Sequence, residues 1–300
     1  MKSFDEHRIR KAESAQLIIL HSLFSSRESR EIIFQGGTAI RWFYGGLRFS
    51  EDLDFVASFS KEQIAALVRS AGARMQRHFT GDFGSGIFSV KEKRSRRSSW
   101  KAFIDFAPSA MREKISVKVE FEVLAPGMKP DADRVIMQGA PAVSDVLREG
   151  NLRTISTPVV INIETPEEIL SDKLRALMER SHIRGRDFFD TWFLSQALRA
   201  TVDINGLKRK LDSHEEPFSI AMPPSFYANL EKVRQEKRKL LLKDITADLS
   251  RFLNKDSLDV FQRNEFRDLL KAVQDIFRQV VDAKGINFKQ YPSQKDRVQL

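Results

Sequence analysis

The chain contains no cysteine. That excludes a disulfide scaffold, a thiolate zinc site and a cysteine nucleophile, and it fits a cytoplasmic setting. The five histidines are scattered and show no ligand spacing. No window approaches the roughly eighteen apolar residues a membrane span requires, and the stretch Met1–Glu6 lacks an apolar signal core. Internal repeats and low-complexity tracts are also missing. Tyrosine is scarce, with 3 against 23 phenylalanines, an imbalance with no evident functional meaning. What the chain has in excess is positive charge. Fifty Lys and Arg against 41 Asp and Glu give a net charge of +9 over 300 residues. Such a surface favours an acidic partner, nucleic acid first.

The most informative stretch runs from Phe34-Gln35-Gly36-Gly37-Thr38-Ala39-Ile40-Arg41 to Arg48-Phe49-Ser50-Glu51-Asp52-Leu53-Asp54-Phe55. It reads as strand, glycine turn, short helix, loop, second strand. Ile32–Gln35 supplies β-formers that stop at a glycine pair. Glycine permits positive φ and close approach of a ligand. Thr38 suits an N-cap, which starts a helix over Thr38–Phe43, and helix N-termini attract phosphate. In Asp52–Val56, period 2 places both carboxylates on one face, with Leu53 and Phe55 on the other. Two acids on one face repel unless a cation lies between them, and Mg2+ held by carboxylates and substrate phosphates is the common solution. Two acids on a solvated strand edge is the plainer alternative.

These motifs resemble the nucleotidyltransferase superfamily of DNA polymerase β. More closely, Gly-Gly-Thr-Ala-Ile-Arg with Arg-Phe-Ser-Glu-Asp-Leu-Asp-Phe resembles the AbiEii/AbiGii family, nucleotidyltransferase toxins of type IV toxin–antitoxin and abortive-infection systems that include the MenT toxins. The resemblance covers roughly residues 30–200. It implies an α/β (α+β) fold: a polymerase β-like mixed sheet flanked by helices over residues 1–160, then a helical domain over 161–300. It implies an NTP substrate, a two-Mg2+ site on Asp52 and Asp54, an antitoxin partner, and an RNA acceptor, with the tRNA 3′ end foremost. Gly36, Gly37 and Thr38 would cradle phosphates, and Ser50 would lie beside them unless its hydroxyl only serves the local turn. Arg41 would reach the triphosphate or pair with a surface acid. A third carboxylate is needed on a neighbouring strand. Glu120 fits, on the polar side of Ile115–Leu124 in an apolar-acid-apolar context, with Glu122 and Asp105 as competitors.

Further along, Ser60 caps a helix to about His78, and residues 81–86 form a turn. Ile87–Lys93 and Trp100–Phe106 read as a hairpin whose tip, Arg94, Arg96 and Arg97 with Trp100, is an RNA clamp or a solvated loop. Residues 126–156 are mixed, and Val159–Ile163 is a short strand. Thr165-Pro166-Glu167-Glu168 opens a helix to about Arg180 by a capping box. Helices over 187–200, 204–211, 224–235, 238–253 and 257–283 follow, then a polar tail over 287–300. Lys173 lies along the apolar stripe of Leu170, Leu174 and Leu177. It either snorkels or, as the resemblance implies, contacts the triphosphate. Asp187 and Asp190 in Arg-Asp-Phe-Phe-Asp serve as helix-start acids, or Asp187 is the active-site acid of the family motif. Phe188, Phe189, Trp192 and Phe193 read as core. The rival functions are a small-molecule nucleotidyltransferase and a catalytically silent nucleotide- or RNA-binding module.

Overall fold

The structure, a computed structural model, describes residues 5–95, 98–149, 152–212, 218–283 and 285–293. It divides into two compact units, Asp5–Thr165 and the chain from Pro166 onward.

The first unit is built on a mixed sheet of seven strands. In chain order its elements are α1 (Glu6–Phe24), β1 (Ile32–Gln35), α2 (Gly36–Phe43), β2 (Leu53–Ala57), α3 (Lys61–Phe83), β3 (Gly86–Lys93), β4 (Ser99–Pro108), β5 (Ile115–Val123), β6 (Ala132–Ile136), α4 (Pro141–Arg148) and β7 (Val160–Glu164). The strand order is β3-β4-β5-β2-β1-β7-β6. β2 is antiparallel to β1 and parallel to β5, which brings the two motif strands and the candidate third-acid strand to the centre.

Alternation along these strands separates an aromatic face from a polar one. Phe34, Phe55 and Phe121 lie side by side on neighbouring strands, with ring centroids 5.2 Å and 4.7 Å apart. Phe24 of α1 reaches Phe55, and Phe79 of α3 stacks on Phe106 of β4, so α1 and α3 cover this face. The abundance of phenylalanine thus has a structural meaning: Phe34, Phe55, Phe79, Phe106 and Phe121 are all fully buried, where a tyrosine hydroxyl would demand a partner. Ser60 caps α3 as expected, and Gln63 completes a reciprocal capping box. α3 continues through Gly81 to Phe83 and ends at Gly84, whose φ of 83° takes the left-handed region. The turn expected at residue 81 is therefore helix.

The second unit is helical: α5 (Pro166–Glu179), α6 (Gly185–Trp192), α7 (Ile204–Asp212), α8 (Pro224–Ala228), α9 (Gln235–Leu249), α10 (Lys255–Arg263) and α11 (Arg267–Asp282). Pro166 opens α5 as expected. Phe188 and Phe189 are core. Several bounds differ. α6 gives way to a π-helical turn at Phe193–Ala197, and α8 ends at Ala228. The single helix expected over 257–283 breaks at Glu265 and Phe266, whose φ values are 53° and 55°. Residues 294–300 of the polar tail lie outside the described residues.

Candidate active site

The glycine turn is a point of crowding. α2 starts at Gly36, not Thr38, and its N-cap is Gln35. Gly36 has φ +80°, and a Cβ there would stand 3.0 Å from Asp54 Oδ2. A Cβ on Gly37 would stand 2.1 Å from Arg48 Nη2 and 3.1 Å from Ser50 Oγ. Gly36 needs glycine for its positive φ, and at Gly37 a Cβ would displace the end of the Arg48 side chain. Thr38 is wholly buried, and its hydroxyl donates to the Asp52 carbonyl. Its job is to tie the lead-in of β2 to α2, which replaces the expected N-cap. Ser50 is also buried; its carbonyl accepts from Gln16 Nε2 at 2.7 Å. Arg41 Nε donates to Glu13 Oε1 at 2.9 Å, the ion-pairing alternative of the two raised for it.

On β2, Leu53 and Phe55 are buried and Asp54 is half-buried, as period 2 requires; Asp52, expected as the first strand residue, lies just before the strand and is half-buried too. The parallel register sets Asp54 opposite Glu120. Opposed residues share a face, so Asp54 and Glu120 stand together on the polar side, and Lys118, which reaches both Glu120 and Asp52, ties Asp52 to them. Glu122 falls opposite Val56, one pleat repeat further away. Asp105 falls opposite Ser116 and belongs to a different cluster: it accepts from Ser116 Oγ at 2.6 Å and from Lys91 and Lys114, each at 3.0 Å. Register therefore favours Glu120 over both competitors.

Two lysines within this group carried no signal that the sequence reading used. Lys118 Nζ lies 2.8 Å from Glu120 and 3.4 Å from Asp52. Lys101, opposite Glu120 on β4, pairs with the same carboxylate. Burial pushes the Lys118 pKa down, but Asp52, Glu120 and Asp54 outweigh it, and the net shift is upward. Burial pushes Glu120 up, and Lys101 and Lys118 outweigh that, leaving it below the usual range. The i, i+2 alternation of Lys118 with Glu120 was the available clue. Buried Arg48, whose Nη1 donates to the Phe49 carbonyl at 2.9 Å, is likewise part of the crowded turn.

Among the described residues, no three His, Cys, Asp or Glu side chains stand at ligating spacing. The donor set still suits a hard cation: carboxylates from two adjacent strands share one face, and their field already draws a lysine ammonium among them. Asp52, Asp54 and Glu120 are the residues that would hold Mg2+.

Lys173 and Asp187 belong to the helical unit. Asp187 is not an N-cap; Arg184 holds that position, and Asp248 of α9 accepts from the Arg186 N–H at 3.0 Å instead. Asp187 and Asp190 are both about fully buried and face Lys173, whose Nζ lies 2.7 Å from Asp190 and 3.7 Å from Asp187. Arg180 also pairs with Asp187. At the basic hairpin tip, Arg96 and Arg97 lie outside the described residues. Trp100 is buried against Phe121, so it is core and not part of a clamp.

A central mixed sheet with carboxylates on its polar face beside a glycine turn is the frame of a nucleotidyltransferase. The profile of the family described as nucleotidyl transferase AbiEii toxin, type IV TA system, matches residues 18–278, and the chain belongs to that family of nucleotidyltransferase toxins. The fold is similar to that of JHP933 from Helicobacter pylori, at 18% identity and a TM-score of 0.54, over 93% of this chain and 95% of that one. It is also similar to the crystal structure of a presumed nucleotidyltransferase from H. pylori, at 20% identity and a TM-score of 0.50, over 90% and 95% of the two chains. A search of the curated proteins gave no significant match. The family implies an antitoxin partner. Among the described residues no helix is long and apolar enough to cross a membrane.

Proposed function

We propose that this chain transfers a nucleoside monophosphate from an NTP to a hydroxyl at an RNA end, the tRNA 3′ end foremost, in a Mg2+-dependent reaction. The observation that carries the reading is the pairing of Asp54 with Glu120 across β2 and β5, beside the Gly36–Gly37 turn. The acceptor oxygen bonds to the α-phosphorus, the α–β phosphoanhydride bond breaks, pyrophosphate leaves, and the hydroxyl proton passes to water. Bound Mg2+ would neutralise phosphate charge and lower the pKa of the attacking hydroxyl. Gly36 and Gly37 give the triphosphate close access to backbone N–H groups, with Ser50 and Arg48 beside them. Lys118 bridges Glu120 and Asp52, and Lys101 pairs with Glu120, so the two lysines offset the repulsion between the acids until substrate arrives. Thr38 fixes the height of Asp52. Lys173 and Asp187 enter as nucleotide-contacting and active-site residues on the family resemblance, supported by their burial in one ion-paired group. Arg41 is left to its bond with Glu13. No side chain acts as a covalent nucleophile; positioning and charge neutralisation do the chemistry.

The pairing of both lysines with Glu120 favours one second reading, a silent binding module whose acids are permanently neutralised. Incubation with total RNA, Mg2+ and each labelled NTP in turn separates the two. Label in a discrete tRNA-sized band is the expected result. Folded protein that labels nothing under any condition overturns the transferase reading.

A further inference from the structure

The polar face of the sheet continues past the acids towards its other edge. Asp54 lies opposite Gln35 on β1, and Ile33, two residues back, shares that face. On the far strands Asn162 of β7 and Arg134 of β6 are register partners. Ile33, Asn162 and Arg134 line a cavity of about 700 Å3, together with Arg30, Lys129 and Asp131. Three cations against one carboxylate surround it. Among the described residues, the side chains of Arg30, Lys129 and Arg134 make no ion pair. This contrasts with the lysines around Glu120 and Asp105, which all have acids to answer them.

The cavity wall is held in place. Asn162 Nδ2 donates to the carbonyls of Ser29, Arg30 and Ile32 at 3.2–3.4 Å, which fixes the backbone that carries Arg30 to the sheet. The Thr165 N–H donates to the Asp131 carbonyl at 3.1 Å and secures the opposite wall. Strands spaced roughly 5 Å apart put Asn162 about 10 Å and Arg134 about 15 Å across the sheet from Asp54.

We propose that this cavity holds backbone phosphates of the acceptor RNA, a few nucleotides upstream of the end that enters the acid site. The proposal rests on the transferase reading for the identity of the acceptor. Cations without partners, gathered in a hollow and set on the same face as the catalytic acids, suit a polyanion that runs along that face. Recognition here is by charge and does not read sequence.

The test is the charge reversal Arg30→Glu, Lys129→Glu and Arg134→Glu in the full chain, with Arg30→Gln, Lys129→Gln and Arg134→Gln as a milder variant. All three side chains belong to exposed residues, and thermal melting checks that the fold survives. RNA binding is read by fluorescence anisotropy over a salt series, alongside KM for RNA and KM for NTP. The expected result is a KM for RNA raised about tenfold or more, with kcat and KM for NTP unchanged. The slope of log affinity against log salt should shrink by about 2, from about 0.7 for each of three contacts. An unchanged slope and unchanged RNA affinity in folded variants overturn the proposal. So does a rise in KM for NTP, or protection of the cavity by inorganic triphosphate, which would assign it to the nucleotide. Should the wild-type chain label no RNA, the transferase reading falls, and the binding series by itself decides the cavity.

Discussion

At the scale of single residues, Asp54 and Asp105 make a controlled pair, both acids on the polar face of one sheet. Asp54 stands with Asp52 and Glu120 against the glycine turn, and Asp105 is boxed in by Ser116, Lys91 and Lys114. On the proposed reaction, Asp54→Asn removes a charge that metal binding needs while leaving the half-buried side chain close to its original shape. Transfer should fall about a hundredfold or more while the urea midpoint barely moves. Asp105→Asn should do the reverse. Burial pushes the Asp105 pKa up, but Ser116, Lys114 and Lys91 outweigh it and hold it below the usual range. A lowered folded pKa contributes stability above the unfolded value of about 3.9 and loses it as pH falls through the folded value. At pH 7 the variant should lose about 1–2 kcal/mol in urea unfolding. The difference from wild type should narrow as the pH falls below the unfolded value of about 3.9. Gly36→Ala tests the turn. With φ +80° and Asp54 Oδ2 3.0 Å from the new Cβ, it should fold and lose most of its transfer, with KM for NTP raised. The acids and glycines were legible because spacing and period 2 are local properties. Lys118 and Lys101 were given no site role, and Arg48 only its place in the motif, since their contacts depend on how the chain folds back on itself.

Among the elements, the parallel pairing of β2 with β5 decides the site, and no local signal predicts it. The strands themselves were readable: β1, β2, β3, β4, β5 and β7 alternate or run apolar. β6 was lost in the mixed stretch because it is an edge strand with mostly exposed residues, defined by its partner β7. α4 was lost because Val143 is its only buried residue. The break between α10 and α11 was invisible because no glycine or proline marks it. Phe266 instead takes the left-handed region and is buried, so packing drives the turn. The contact of α5 with α6 yields its own prediction. Lys173→Met removes the ammonium that lies 2.7 Å from Asp190, itself 1% exposed, and leaves Asp187 with Arg180 still beside it. Loss of one member of an isolated buried pair costs about 3–5 kcal/mol, and the variant should lose less than that because Asp190 has further interactions. The double variant Lys173→Met, Asp190→Leu should recover most of that in thermal unfolding. If Lys173 also contacts the triphosphate, the recovered protein should remain deficient in transfer with a raised KM for NTP. Full activity in the recovered protein would make the lysine purely structural.

For the whole molecule, the controlling quantity is the net charge of +9. Many of the cations are already answered within their own unit: in the sheet unit Lys118 and Lys101 by Glu120 and Lys91 and Lys114 by Asp105, and in the helical unit Lys173 by Asp190. The surplus must therefore lie elsewhere on the surface, where it acts over about a Debye length, 8 Å at physiological salt. If the acceptor is RNA, as proposed, such charge would speed encounter and release counterions on binding, and affinity should fall steeply with salt. On the proposed reading an NTP would be held at the acid site by a few short, partly buried contacts, which salt screens less. Raising salt from about 50 to 200 mM should therefore increase KM for RNA at least tenfold and leave KM for NTP within about twofold. A small-molecule acceptor would show no such asymmetry, and a cationic one would be repelled by the same surplus charge. Steady-state transfer measured at both salt concentrations, with RNA and NTP varied in turn, distinguishes the two kinds of acceptor without any knowledge of which RNA is modified.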